Sequence, residues 1–365
     1  MAGKFELRPF SEINLNDAFF DSLKRDYPAD DTNIGFINWF KKKSSKGARA
    51  LVFFDNSGLG AFICLKEENE SLITTEREYP VRNRLKISTL RIAERFQGQR
   101  IGEGAIGLIL WQWQKSKCRE IYVTVFEKHQ LLIFLLEKFG FIHIGNNYNG
   151  ERVYLRSKNQ VDFSTPYKAF PFVSPNFLSS GFIVVNDDYH DTLFPYSELK
   201  NTIQNQLEIS VANGITKMYI SQDGSLLRYR PGDPVLIYRR HTKKEGMKKY
   251  KSCVTSYCVV VSTHCIKRGG WREQTFDEFK QLVRNKTVYS ENALLKMYEN
   301  DKHIIVVEML YYGYFGEGHN INWDWLSRNG YFQPGTYPSK IRLSQEQFRL
   351  LLQEGDVDVS DVIID

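Results

Sequence analysis

The chain has 365 residues, of which 42% are apolar and 14% aromatic, too many for one typical domain and enough to fill two cores. No run of 18 apolar residues occurs, MAGKFELRPF lacks the apolar centre of a secretion signal, and five cysteines form no disulfide framework. These features exclude a membrane-spanning helix and a disulfide-stapled scaffold, so we expect a reducing, cytoplasmic location and no membrane partner. The formal charge of +6 is local, because nine Lys and Arg residues fall between Arg228 and Lys251 against only Asp233 and Glu245.

The pattern along the N-terminal half alternates. KFELRPF reads as a strand, and residues 15–43 as helical or irregular. ARALVFF and GLGAFICLK, split by the turn DNSG, read as a hairpin. RLKISTLRIAE alternates at period two, GEGAIGLILWQWQKSK has helical length and pattern, REIYVTVFE is a strand and HQLLIFLLEKF a helix. GFIHIG and ERVYLR close the series. The segment from Ser157 to Gly181, with its prolines and many small polar residues, reads as a linker. Beyond it, FIVVN, KMYISQ, DPVLIYRR, SCVTSYCVVVS and KHIIVVEMLYYGYF are strands. YSELKNTIQNQLEISVAN, TFDEFKQLVRNK and SENALLKMYEN are the intervening helices. The division predicted is 1–156, a linker at 157–180, and 181–365. Cys253, Cys258 and Cys265 with His264 fit no common zinc spacing, so no metal is expected.

The glycines of RFQGQRIGEGAIG pose a choice. Gly102, Gly104 and Gly107 spell a dinucleotide fingerprint, but that motif needs a strand running almost directly into its first glycine. Here polar ERFQGQR intervenes, and no second βαβ unit follows. A P-loop is excluded because no Gly-Lys-Ser/Thr is present.

Leu90-Arg91-Ile92 on a strand, then Gln97-Gly98-Gln99-Arg100-Ile101-Gly102 opening a helix, then a second helix closing on Gly140-Phe141, resemble the GNAT acetyltransferase superfamily over residues 4–156. Unpaired amides at a helix start suit a diphosphate. The resemblance implies acetyl-coenzyme A, with Leu90 and Ile92 along pantetheine and Gln97, Gly98, Gln99, Arg100, Ile101 and Gly102 around the diphosphate. Three positions depart from the family pattern. Arg100 replaces its central glycine and is tolerable if its φ is negative. His129 stands where Asn is frequent, and Leu136 stands where a Tyr often protonates the departing thiolate. Lys86 and Ser88 lie where some members place a Glu base. His129 is the catalytic candidate, ahead of Tyr148 and Tyr154.

YRPGDPVLIYRR followed by YKSCVTSYCVVVS, with TFDEFKQLV as an inserted helix, resembles the PUA-like group (ASCH and EVE types). The fold class expected is therefore α+β: a GNAT mixed α/β fold, then a PUA-like small β-barrel with helical insertions. That resemblance implies nucleic acid, RNA above all. The cations Arg228, Arg230, Arg239, Arg240, Lys243, Lys244, Lys248, Lys249 and Lys251, interleaved with Tyr229, Tyr238 and Tyr250, supply charge for phosphate and faces for stacking. Trp323 and Trp325 are expected in packing. The function expected is acetyl-coenzyme A-dependent N-acetylation of an amine on RNA, aminoacyl-tRNA or a nucleic-acid-associated protein. The alternative is a degenerate coenzyme A-binding domain joined to a nucleic-acid-binding regulatory module.

Overall fold

The computed structural model describes residues 5–31, 34–195, 197, 213–333 and 335–364. It divides into two compact units, one of residues 1–105, 117–136 and 141–159, the other of 106–116, 137–140 and 160–365. The helix expected at 196–213 falls almost wholly outside the described residues.

The first unit is built on one sheet: β1 (Glu6–Pro9), β2 (Arg49–Asp55), β3 (Gly58–Ile73), β4 (Glu78–Ile92), β5 (Glu120–Val125), β6 (Ile142–Asn146) and β7 (Arg152–Ser157). Their order is β1-β2-β3-β4-β5-β7-β6. Every neighbouring pair is antiparallel except β4 with β5. The helices are α1 (Asp21–Asp26), α2 (Gly35–Ser45), α3 (Ile101–Lys115) and α4 (Gln130–Lys138). From residue 106 onward α3 counts in the second unit. Alternating apolar residues on β2 and β3 explain the first core. Phe53 and Phe62 meet Phe10, Phe20, Phe36 and Phe40, all buried. The rings of Phe10 and Phe62 stand edge to face with centroids 5.5 Å apart, and Phe20 meets Phe62 the same way at 5.3 Å. Each buried Phe contributes about 1.5–3 kcal/mol, which anchors this end of the sheet.

The second unit holds β8 (Ser180–Asn186), β9 (Thr216–Ser221), β10 (Pro234–Arg240), β11 (Cys253–Arg268), β12 (Trp271–Arg272), β13 (Ile304–Tyr314), β14 (Ile321–Asn322) and β15 (Arg342–Leu343). Their order is β15-β8-β10-β11-β13-β9, with β12 and β14 added to β11. Among the described residues no pair joins β15 to β9, so the strand order is open where a closed barrel was expected. Strand β11 is the spine. All its residues from Cys253 to Val260 are buried, so both faces of this half of the strand are covered, and burial pushes the Cys253 thiol up to about 12. All five cysteines are free thiols. The stretch expected as a linker carries α5 (Pro166–Ala169), and Phe170, Phe172, Val173 and Phe177 are buried within this unit. Two further helices lie where the sequence places them, at Phe276–Val283 and Glu291–Glu299. The first starts on a capping box, Thr275 with Glu278, and their apolar faces share a core with Ile266 and Val306.

Candidate functional site

In the first unit, β4 and β5 run together only from Arg84/Glu120 to Ile87/Val123. Beyond that point β5 stays paired to β7 through Val125, and β4 stays paired to β3 through Ile92. The two strands therefore part, leaving one edge of Ser88–Ile92 without a strand partner among the described residues. An unpaired strand edge presents backbone donors and acceptors to an extended amide-bearing ligand. Leu90 and Ile92 lie on this free stretch, half-buried.

The strand leads into a short 3-10 turn, Glu94–Phe96, whose Phe96 ring packs edge to face on Phe53 at 5.2 Å. Gly60 makes room for it: a Cβ there would stand 2.4 Å from Phe96 Cε2. Next comes a type II turn. Gln97 has φ −59° and ψ 132°, Gly98 has φ +79°, and the Gln99 amide donates to the Phe96 carbonyl at 3.0 Å. Glycine is required at 98 because only it adopts that φ freely.

Arg100 also has a positive φ, +61°, contrary to the negative φ that its tolerance was expected to need. Its guanidinium does not stand open for phosphate either. It pairs with Glu103 at 2.8 Å, both side chains nearly buried. The pair neutralises a carboxylate that stands in the first turn of α3. Intrahelical bonding is under way by the Gly104 amide, which reaches the Arg100 carbonyl at 3.2 Å. The first-turn amides before it have no intrahelical acceptor. At Gly102 a Cβ would lie 3.1 Å from Leu135 Cδ1 and 3.5 Å from Ile92 Cδ1, so the helix start sits close against the free strand and α4. These features fit a coenzyme A diphosphate: helix-start amides beyond the Gln97 and Gln99 amides, which serve the turn itself, positive helix-end charge, and open space beside Gly98 that a side chain would fill. Gln97 to Gly102 would hold the diphosphate, and Ser88–Ile92 the pantetheine. When bound, acetyl-coenzyme A supplies the thioester acyl group.

At the C-terminal end of β5 stands a second set of side chains. His129 lies at the start of α4, its carbonyl accepting from Leu132 and Ile133. Its Nε2 is 3.9 Å from Asp26, which also holds Lys128 at 2.6 Å. Burial and the Lys128 charge outweigh the Asp26 pull and lower the His129 pKa below its ordinary value. The ring is therefore neutral near pH 7 and suited to accept a proton from an ammonium nucleophile. In the acid role expected from the sequence, it would first have to gain that proton.

Leu136 is fully buried and contributes no proton. Tyr148 is exposed, and Tyr154 is fully buried on β7. Sequence reasoning missed Tyr27, whose hydroxyl donates to Glu151 at 2.8 Å and whose ring packs on Phe126. Burial, then the Glu151 charge, raises its pKa well above the ordinary value. The two partners are 124 positions apart, and no local pattern links them.

In the second unit the nine basic residues part company. Arg239 points inward, donating to Asp191 at 3.2 and 3.3 Å, and Asp191 also meets His190 at 2.7 Å. Arg228 is spent on the Tyr229 hydroxyl and the Ser339 carbonyl. Both guanidinium groups are engaged within the protein rather than held out for phosphate. Tyr229 and Tyr238 are buried too, leaving Tyr250 as the one exposed tyrosine of the three. Arg230, Lys243, Lys244, Lys248 and Lys251 are exposed, with Arg240 and Lys249 half-buried. Trp323, expected in packing, is 41% exposed. Among the described residues no cluster of His, Cys, Asp and Glu is arranged for a metal ion, and no helix is long and apolar enough to cross a membrane.

Residues 15–141 match the model of the acetyltransferase (GNAT) family. The matched segment is that of an N-acetyltransferase, an enzyme whose acetyl donor is acetyl-coenzyme A. No curated protein matches the chain. Among solved structures, Arabidopsis thaliana NAA60 in complex with acetyl-CoA is 16% identical, over 43% of this chain and 100% of that one, with a TM-score of 0.30. Arabidopsis thaliana Naa50 in complex with the bisubstrate analogue CoA-Ac-MVNAL is 18% identical, over 42% and 98%, with a TM-score of 0.28. A mutant of the ZmASCH protein from Zymomonas mobilis is 11% identical, over 48% and 94%, with a TM-score of 0.30.

Proposed function

We propose that the chain transfers acetyl from acetyl-coenzyme A to an amine carried by RNA, by aminoacyl-tRNA or by a nucleic-acid-associated protein, and that the second unit is a PUA-like module that holds the nucleic acid. One observation carries the transferase half: the parting of β4 from β5 directly before a glycine turn and helix start, within the segment matched to the acetyltransferase family. Proximity of amine and thioester, with a strand amide beside the developing oxyanion, supplies much of such a rate. His129 takes the proton. The nucleic-acid half is supported by the exposed cations between Lys243 and Lys251. The test is transfer of radiolabelled acetyl from acetyl-coenzyme A to bulk tRNA, aminoacylated tRNA and ribosomal protein in parallel. Label on an RNA-linked or RNA-bound amine supports the proposal. Label only on small free amines refutes the nucleic-acid half. Tight coenzyme A binding with no label on any acceptor favours the regulatory alternative, to which the buried Leu136 lends its weight.

A further inference from the structure

A cleft of about 530 Å³ opens in the second unit beside the basic segment, lined by Arg240, Lys248, Lys249, His241, Ser252 and Trp323 among others. Its parts are tied in place by bonds that leave its charge uncompensated. Strand β14 pairs Asn322 with Cys253, and Asn322 Oδ1 caps the helix Trp323–Arg328 by accepting from the Trp325 amide at 2.9 Å. The Trp323 amide donates to the Ser252 carbonyl at 2.8 Å, which sets the half-exposed indole at the wall. Ser252 Oγ accepts from the His241 amide at 3.0 Å. The His241 ring is held from both sides, by Asp187 and by the Glu245 carbonyl, each at 2.8 Å. Arg240 is steadied by two neutral groups, Asn186 Oδ1 at 2.9 Å and the Tyr337 hydroxyl at 3.0 Å. Among the described residues no carboxylate pairs with Lys248, and Lys249 lies over the Tyr250 ring. The nearby acids pair with other groups than these three cations: Asp187 accepts from His241 and Thr242 in the cleft's own wall, and Asp188 lies 3.7 Å from Lys243.

We infer that this cleft takes a single nucleotide of a single strand, its base stacked on Trp323 and its phosphate held by Arg240, Lys248 and Lys249. Three cations whose charge no described carboxylate cancels select an anion. An indole face at the same mouth selects an anion that carries a flat ring. The volume lies in the range of small-ligand pockets and admits one nucleotide, not a duplex. Deoxynucleotide and ribonucleotide share this chemistry. The inference rests on the nucleic-acid half of the proposed function and gives it a location.

The experiment uses the full chain and a 12-nucleotide single strand, as RNA and as DNA of the same sequence, with binding followed by fluorescence anisotropy across a salt series. Quenching of tryptophan emission by adenosine and uridine monophosphates is measured beside it. Trp323→Ala should weaken oligonucleotide binding about 10-fold or more, the size of one base–aromatic stack, without changing the salt slope. Trp323→Phe should restore most of it. Lys248→Ala with Lys249→Ala should flatten the log–log salt slope by up to about 0.7, the contribution of the one phosphate these side chains hold on a single strand. Preference for the RNA strand identifies RNA as the source, reversed preference identifies DNA, and equal affinity identifies a site that reads base and phosphate without the sugar. If the wild type binds the oligonucleotide and Trp323→Ala binds it equally well, the cleft assignment is wrong while the nucleic-acid reading stands. If the wild type binds neither strand but mononucleotides still quench Trp323, the nucleic-acid reading fails and the cleft stands as a nucleotide site. Absence of both overturns both.

Discussion

Arg100 brings two opposed effects into one side chain. An L residue held in the left-handed region costs about 1 kcal/mol relative to glycine, and Arg100 sits there at φ +61°. Arg100→Gly removes that cost. It also removes the guanidinium that meets Glu103 at 2.8 Å, and removing one member of a buried ion pair costs about 3 kcal/mol at the low end of measured cases. The second effect wins, for a net loss of about 2 kcal/mol. In a domain of this size that lowers the melting temperature by about 4–8 °C. The Glu103 carboxylate, without the Arg100 charge beside it, also stands at the helix start where the diphosphate would lie. One unit charge about 6 Å away, at an effective dielectric near 40, opposes binding by about 1.4 kcal/mol, a tenfold loss. Arg100→Gly with Glu103→Gln keeps the backbone relief and removes the carboxylate charge. It should melt within about 1 kcal/mol of wild type and bind coenzyme A at least as well. Thermal melting and titration calorimetry on both variants and wild type read these terms. An Arg100→Gly protein that melts and binds like wild type would refute the neutralising role of the pair.

Gly102→Asp should abolish coenzyme A binding by calorimetry while the protein folds, since its Cβ meets only side-chain tips, Leu135 Cδ1 at 3.1 Å and Ile92 Cδ1 at 3.5 Å; unchanged affinity would remove this helix start from the cofactor site. His129→Ala should lower kcat by about 10²-fold. With its pKa depressed, His129 is the neutral base above that value and loses the role as pH falls through it. The wild-type rate should therefore decline on the acid side of 6.5, and a profile flat from pH 7 down to 5 would dismiss it. Arg239→Ala should destabilise the second unit by about 3 kcal/mol in urea, because Asp191 stays buried. A loss below about 0.5 kcal/mol, the range of ordinary surface changes, would show that this pair holds nothing.

The sequence showed most elements of the first unit because each carries a periodic apolar face: Phe53 and Phe62 on their strands, Ile133 and Leu136 on α4. It did not show that β3 runs on to Ile73 or that β4 begins at Glu78. The polar stretch EENES on β3 and the start of β4 are largely solvent-exposed, so ladder pairing, not burial, makes them strands. The glycine turn was legible from composition, whereas the sign of φ at Arg100 was not, because it depends on how the helix start is set against Ile92 and Leu135. Among the nine cations, charge alone could not distinguish Arg239 from Lys248. What separates them is Asp191, 48 positions upstream, which draws one inward. Trp323 stands at the cleft mouth because a two-residue strand fixes it, and a strand that short leaves no sequence pattern.

Strand β8 has β10 on one side and β15 on the other, and β15 is only Arg342–Leu343. The segment that closes this edge thus lies some 160 positions after the strand it covers. Closing so long a loop carries an entropic penalty that grows only slowly with length but must be met before the contact forms. On the ribosome, Gly181 and Ser180 wait with an open flank until residues 342–343 emerge. At about 5–20 residues per second, that is a window of roughly 10–30 seconds. During it the parallel pair β8–β10 is exposed to pairing with a neighbouring nascent chain. Yield on expression should therefore depend on translation speed through the second half of the message more than on the thermodynamic stability of the finished protein.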